Sequence, residues 1–196
     1  MTERDERKAA AAQVMREVFP GNPGTRKFEI LFDAAWDALP GHIVEVGTGD
    51  GFGAVSLALG SRGNPVYTID PHEECRGWAN EPYGPTDRTA CLQNVLAACV
   101  AETVRIVNLY AEAVWECWPG VISLLWWDLG QYYKPYSGQV IDWCEKVVPG
   151  GIVLLNETFA DDLGVDAVVD VLVKQFEDFE LLRIEYGIRV LRKRES

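Results

Sequence analysis

Four glycines alternate in Gly47-Thr48-Gly49-Asp50-Gly51-Phe52-Gly53, between the apolar run Ile43-Val-Glu45-Val46 and the helix-favouring stretch Ala54 to Leu59. Glycines at such a turn let the backbone take positive φ and approach a ligand closely. A turn needs fewer glycines than this, so geometry alone is a weak account of the loop. The spacing also departs from the Gly-x-Gly-x-x-Gly fingerprint of dinucleotide sites, because Phe52 stands where the third glycine should fall. Downstream, other apolar runs also end on polar side chains. Val66 to Ile69 ends on Asp70-Pro71, with His72 next, and Val121 to Trp127 ends on Asp128. Ile152 to Leu155 ends on Asn156-Glu157. An imidazole at His72 is a candidate general base near neutral pH, the competing reading being a solvated loop histidine. His42, at the start of the first apolar run, reads as structural.

These residues need a scaffold that brings strand ends together. Helices are expected over 4–18 and 26–39, the second carrying Phe28, Leu31, Phe32, Ala35, Trp36 and Leu39 at helical spacing. From residue 41 the pattern alternates: strands at 43–46, 66–69, 104–107, 121–127 and 152–155, with helices over 54–59, 87–101, 111–118, 136–147 and 163–176. Two last runs, Glu180 to Ile184 and Ile188 to Leu191, lie too close for a helical crossover and predict an antiparallel hairpin turning at Gly187. The expectation is an α/β fold: a doubly wound, seven-stranded sheet, mostly parallel, with helices on both faces. It is read as one domain over 1–196, with a helical cap at 1–40 and a core at 41–196. Ligands of such sheets bind beyond the carboxyl ends of the strands, which is where the polar residues fall.

Composition narrows the partners. A chain of 196 residues is enough for one domain with a substantial core. Its net charge of -12 repels phosphate backbones, so a nucleic-acid partner is not expected, and the basic end at Arg189, Arg192, Lys193 and Arg194 reads as a solvated tail. Five scattered cysteines without a Cys-x-x-Cys argue against a disulfide framework or a structural zinc site. The N-terminus lacks the apolar core of a signal peptide, and no apolar stretch is long enough to span a bilayer. A cytoplasmic protein without a membrane partner is the expectation.

Glu45-x-Gly47-x-Gly49-x-Gly51 resembles motif I of the class I S-adenosylmethionine (SAM)-dependent methyltransferases, whose fold is Rossmann-like. The resemblance runs from about residue 28 to the end, through Asp70, Asp128, Pro149-Gly-Gly151 and the terminal hairpin. It implies SAM as cofactor, held by Glu45, Gly47, Thr48, Gly49, Gly51, Asp70, Pro71, Tyr110, Ala111 and Asp128. In it Asp70 accepts from the ribose hydroxyls, a task that suits a carboxylate. At the adenine, where the family often has an acidic residue, this chain has Asn108-Leu109-Tyr110, and Tyr110 or Leu109 is expected to pack on the ring, or Tyr110 to be ordinary core.

Asp128-Leu-Gly-Gln131 and Asn156-Glu157 resemble the catechol-type O-methyltransferases and the related family with Asp-x-x-His after strand four. That likeness makes Asp128, His72 and Gln131 the catalytic candidates. It also makes Asp128, Asn156 and Glu157 candidate ligands for Mg2+, being oxygen donors suited to a hard cation. The chain departs from the pattern at Gln131, where His or Lys is common, and at Asn156-Glu157. With the metal absent, Asp128 would orient cofactor or substrate. Trp78, Tyr83, Trp126, Trp127, Tyr132, Tyr133 and Tyr136 offer aromatic walls, and 1–25 and 73–86 are lid candidates. The implied function is methylation of an oxygen or nitrogen on a small, aromatic, neutral or cationic acceptor. Two alternatives stay open: a SAM-binding or S-adenosylhomocysteine (SAH)-binding protein of the same fold that transfers no methyl or catalyses another reaction, and a protein methyltransferase. A homodimer is compatible with a lid that closes on a second subunit.

Overall fold

Apolar residues alternate sides along every central strand, and that alternation builds two helical layers. In the computed structural model, residues 1–22, 24–76, 82–129, 133–156 and 164–195 are described, excluding the side chains of 133–137. The helices α1 (Glu3–Val18) and α2 (Thr25–Asp37) precede β1 (His42–Val46), α3 (Phe52–Gly60) and β2 (Val66–Ile69). A short hairpin follows, β3 (Cys75–Arg76) and β4 (Pro82–Tyr83), then α4 (Pro85–Ala97), β5 (Val104–Val107) and α5 (Ala111–Trp115). The chain continues through β6 (Ile122–Trp127), α6 (Tyr133–Glu145), β7 (Val147–Asn156) and α7 (Gly164–Asp170), which runs on as a π-helical turn, Val171–Gln175. It ends in β8 (Phe179–Glu185) and β9 (Ile188–Lys193).

The main sheet has the order β5-β2-β1-β6-β7-β9-β8. Its first five strands pair in parallel, while β7–β9 and β8–β9 are antiparallel. Ile43, Trp126 and Leu154 face a core shared with α1 to α4, whereas Val44, Trp127 and Val153 face α5 to α7. Trp126 and Trp127 are therefore both fully buried, one on each side. Strand order reverses between β1 and β6, so the loop after Val46 and the end of β6 flank the switch point.

Several elements differ from the expectation. α4 starts at Pro85 rather than near 87, because proline suits the first helical turn and the Asp87 carboxylate accepts the Gly84 amide at 2.6 Å. β7 begins at Val147, five residues early: Val147 pairs with Ile122 and Ile152 with Leu124, so Val148 to Gly151 bulges within the strand. The β3–β4 hairpin, in a stretch read only as polar, forms a separate small sheet. The terminal hairpin turns at Tyr186-Gly187, both at positive φ (51° and 74°), as a two-residue hairpin loop requires. Among the described residues, no helix is long and apolar enough to cross a membrane.

Candidate functional site

The glycine loop is held from beneath by Asp70. The Thr48 and Gly49 amides donate to Asp70 Oδ2 at 3.0 and 3.2 Å, and the His72 amide donates to Oδ1 at 2.7 Å. A carboxylate has about four acceptor positions. Three are engaged, and the side chain keeps 20% exposure at the mouth. Gly47 (φ +96°) lies against β6, where a Cβ would come within 2.9 Å of the Asp128 carbonyl oxygen. Gly51 (φ +89°) caps α3 over Cys91, whose thiol burial, with help from Glu45 and nearby aspartates, pushes up to about 12. A Cβ at Gly49 would meet nothing within 4 Å, so the loop's outer side is open to a ligand.

Glu45 does not face that opening. It is completely buried on the α3 side of β1, where Thr68 Oγ1 donates to its Oε2 at 2.5 Å. Thr68 Oγ1 in turn lies 2.5 Å from Thr48 Oγ1, linking the carboxyl to the loop. Burial, only partly offset by the Thr68 hydrogen bond, drives the Glu45 pKa well above the usual carboxylate range. Its Oε1 and the Trp126 indole nitrogen are both buried without a hydrogen-bond partner among the described residues. Both close over Gly53. Glu45 thus supports the loop through Thr68, and its burial favours the protonated form of its carboxyl.

His72 is 6% exposed, at a positive φ of 51°. Its Nε2 lies 3.2 Å from the Gly49 carbonyl, and its Nδ1 lies 2.9 Å from Asn108 Nδ2 and 3.2 Å from the Asp70 carbonyl. Asn108 Nδ2 also donates to the Asp70 carbonyl at 2.9 Å. With Asn108 donating to Nδ1 and Nε2 facing the Gly49 carbonyl, the ring satisfies the set. The ring therefore ties the loop to the end of β2, and both nitrogens are spent on that task. Asn108, directly after β5, leaves its own Oδ1 buried without a partner among the described residues. Beside it Leu109 and Tyr110 are exposed, 54% and 48%, and the Tyr110 hydroxyl donates to the Glu73 carboxylate. Ala111, the first residue of α5, is buried, and Pro71 is half-buried.

At the far side of the loop, Asp128 and Asn156 do meet. The Asn156 amide donates to Asp128 Oδ1 at 2.5 Å. The other oxygen, Oδ2, takes the Lys27 ammonium at 2.6 Å, and that ammonium sits 5.1 Å from the Trp126 ring centroid. Asp128 and Lys27 are 19% and 23% exposed. A magnesium ion would have to displace the ammonium and turn the amide. Among the described residues, no three His, Cys, Asp or Glu side chains gather as ligands. The described part of the expected Asp128, Asn156 and Glu157 set holds a lysine and does not fit a hard cation. Gln131 and Glu157 lie outside the described residues, as do Trp78, Tyr132 and the side chains of Tyr133 and Tyr136.

Lys27 and Asn108 are the site residues that the sequence reading passed over. Asn108 carried a usable signal, since it closes a parallel strand. Lys27 carried none: nothing in one sequence tells which end of the sheet the first turn of α2 reaches. At the C-terminus, Arg189 is buried against Asp166 at 2.9 Å, and Lys193 donates to the Glu145 carbonyl at 2.9 Å. That part of the basic end is engaged in packing, not splayed as a tail.

A family profile described as a methyltransferase domain matches residues 44–158, more than half of the chain. The chain belongs to the methyltransferase domain family. The matched span of this methyltransferase runs from β1 past the end of β7, and so contains the glycine loop, Asp70 and Asp128. No curated protein matches the sequence. Its fold is similar to that of an SAH-bound methyltransferase from Podospora anserina, at 16% identity over 95% of this chain and 88% of the other, with a TM-score of 0.65. It is also similar to the O-methyltransferase TomG of Streptomyces achromogenes, involved in tomaymycin synthesis and solved with SAM (18% identity, 98% and 91% coverage, TM-score 0.61). An SAH-bound O-methyltransferase from Bacillus cereus gives 14% identity, 97% and 91% coverage and a TM-score of 0.64. At these identities the likeness is one of fold.

Proposed function

We propose that the methyltransferase moves the methyl group of SAM to an oxygen or nitrogen of a small-molecule acceptor. The observation that supports this most is the glycine loop at the switch point: open over Gly49, clamped by Asp70 on one side and closed by Asp128 on the other. The Gly47 to Gly51 backbone would hold the amino-acid part of SAM, and the free acceptor position of Asp70 would take a ribose hydroxyl. Leu109 and Tyr110 would cover the adenine, with Asn108 Oδ1 below. When bound, SAM supplies an electrophilic methyl on a positively charged sulfur.

What the chain contributes is placement. Fixing an acceptor in line with the methyl group replaces a bimolecular encounter by a positioned one, which is worth several kcal/mol, up to about 7–11, in favourable cases. His72 and Asn108 hold the loop and strand end on which that alignment depends. We assign His72 a positioning role in place of the base role its type suggests. The net charge of -12 favours small molecules over nucleic acid as acceptors. The tomaymycin enzyme acts in the synthesis of a small molecule, in keeping with the same reading. We place the protein in the cytoplasm, as one domain whose residues 1–40 cap the core.

Calorimetric titration of the full chain with SAH and SAM, with NAD as control, tests the reading. Micromolar binding of the adenosyl ligands, with methyl transfer to members of a small-molecule panel, is expected. Binding without transfer across small-molecule and protein panels would favour a SAM-binding protein that transfers no methyl. Absence of adenosyl binding would remove the proposal.

A further inference from the structure

We infer that Lys27 binds an ionised oxygen of the acceptor, so that the acceptor is a small oxyacid: a carboxylic acid, or a phenol or enol acidic enough to ionise near neutral pH. This rests on the methyl-transfer reading above and narrows its acceptor. A site built around a metal would instead favour a vicinal diol able to chelate it.

The placement of the charge carries the argument. Lys27 reaches from α2 to the end of β6, beside the loop that closes over Gly47. One of its three N–H groups is spent on Asp128 Oδ2 at 2.6 Å. The others have no carboxylate partner among the described residues, and the side chain is 23% exposed at the mouth. Asp128 is fixed from its other side by Asn156, and the Trp126 ring lies under the ammonium. The cation is therefore held in place, with part of its surface open to solvent.

Three other titratable groups among the described residues here are already engaged or enclosed. Both oxygens of Asp128 are engaged, both nitrogens of His72 face partners, and Glu45 is enclosed beneath the loop. Glu45 and His72 are thereby withheld from an acceptor hydroxyl, and Asp128 meets one only beside the Lys27 ammonium. An acceptor that arrives already ionised has no need of a base. Its oxygen lone pair forms the new O–CH3 bond as the S–CH3 bond breaks, and that electron pair stays on sulfur as a neutral thioether. The negative charge of the oxygen and the positive charge of the sulfonium cancel, and no proton moves in the step.

Charge strength fits as well. The reacting oxygen loses its charge in the transition state, so a partner that grips it hard would stabilise the ground state more than the transition state. An ammonium shared with Asp128 grips less than a bare one. The net charge of -12 acts against anions at long range and favours neutral or cationic acceptors there. That field is screened beyond about 8 Å at physiological salt, whereas the contact with Lys27 is direct. At contact distance the lysine decides.

The test uses the full chain saturated with SAH, titrated with benzoate and 4-nitrophenolate as anionic probes, and with catechol with and without Mg2+. Both anions are expected to bind with no help from Mg2+. Lys27→Met should weaken them by about tenfold or more, while Lys27→Arg, which keeps the charge, stays within about threefold. SAH affinity should be unchanged in both variants. Failure of wild-type protein to bind SAH would sink the methyl-transfer reading itself. With SAH bound, three results would overturn the inference alone: neither anion binding, Lys27→Met binding them as wild type does, or catechol binding only with Mg2+. A loss of SAH affinity in Lys27→Met would overturn it too, by assigning the lysine to the carboxylate of the cofactor.

Discussion

Glu45 Oε1 occupies the volume that a side chain on Gly53 would need: a Cβ there would lie 1.9 Å from it and 3.0 Å from the Trp126 indole nitrogen. The second residue of α3 is glycine for that reason, since the carboxyl of β1 packs directly on the helix backbone. Gly53→Ala should gain about 1 kcal/mol of helix propensity and lose about 1–3 kcal/mol to overpacking. A net loss of stability is expected in urea denaturation. In a Glu45→Ala background the same change should cost clearly less, because the two sites share one space and only the Trp126 contact remains. Additive losses would show that they do not.

The same burial makes Glu45 a source of pH dependence. Its folded pKa is raised, so between its unfolded and folded values the native state binds the proton that the unfolded chain has released. Stability then falls as pH rises through that window, with a slope of up to about 1.4 kcal/mol per pH unit. Glu45→Gln mimics the protonated acid and removes that pH dependence. Denaturation at pH 5 and pH 8 should show wild type losing more stability than the variant over that interval. Equal losses would mean that Glu45 is ionised in the folded protein.

Asp70 does two jobs, and its replacement should reveal both. It accepts the amides of Thr48, Gly49 and His72, and its side chain keeps 20% exposure to solvent. Asp70→Ala is expected to lower the melting temperature and to weaken SAH binding by about tenfold or more, or about 1.4 kcal/mol. Unchanged affinity by calorimetry would remove Asp70 from the ribose role.

How much of this was legible beforehand follows from the range of the interactions. The strand alternation is local and sets the sheet: Ile43 and Val44, or Trp126 and Trp127, face opposite layers because successive side chains must. Gly47, Gly49 and Gly51 announce the loop by type and spacing alone. Asp70 and Asp128 were readable because each closes a strand. What was not legible depends on where distant elements meet. The meeting of Lys27 with Asp128 spans 101 positions of chain, and it occupies the Asp128 oxygen at which a cation was expected. Glu45, read as part of the cofactor motif, turns inward because its position in β1 puts it on the α3 face. The β3–β4 hairpin pairs only Cys75 with Tyr83 and Arg76 with Pro82, too short for any periodic signal.

The role of His72 separates by kinetics. An imidazole that takes the acceptor's proton contributes about a hundredfold or more to turnover. An imidazole that ties Gly49 to the end of β2 acts on the loop, and so on cofactor binding. The ring is 6% exposed, and its nitrogens face the Gly49 carbonyl, the Asp70 carbonyl and Asn108. His72→Gln can still donate to one of these partners but has no imidazole. It is expected to raise the SAM KM and lower the melting temperature, while kcat at saturating SAM stays within about tenfold of wild type. The pH profile of kcat should keep its shape, since no proton passes through the ring. A drop in kcat of about a hundredfold with KM unchanged would return His72 to the chemistry, and would require the loop to open far enough to release the ring from Gly49.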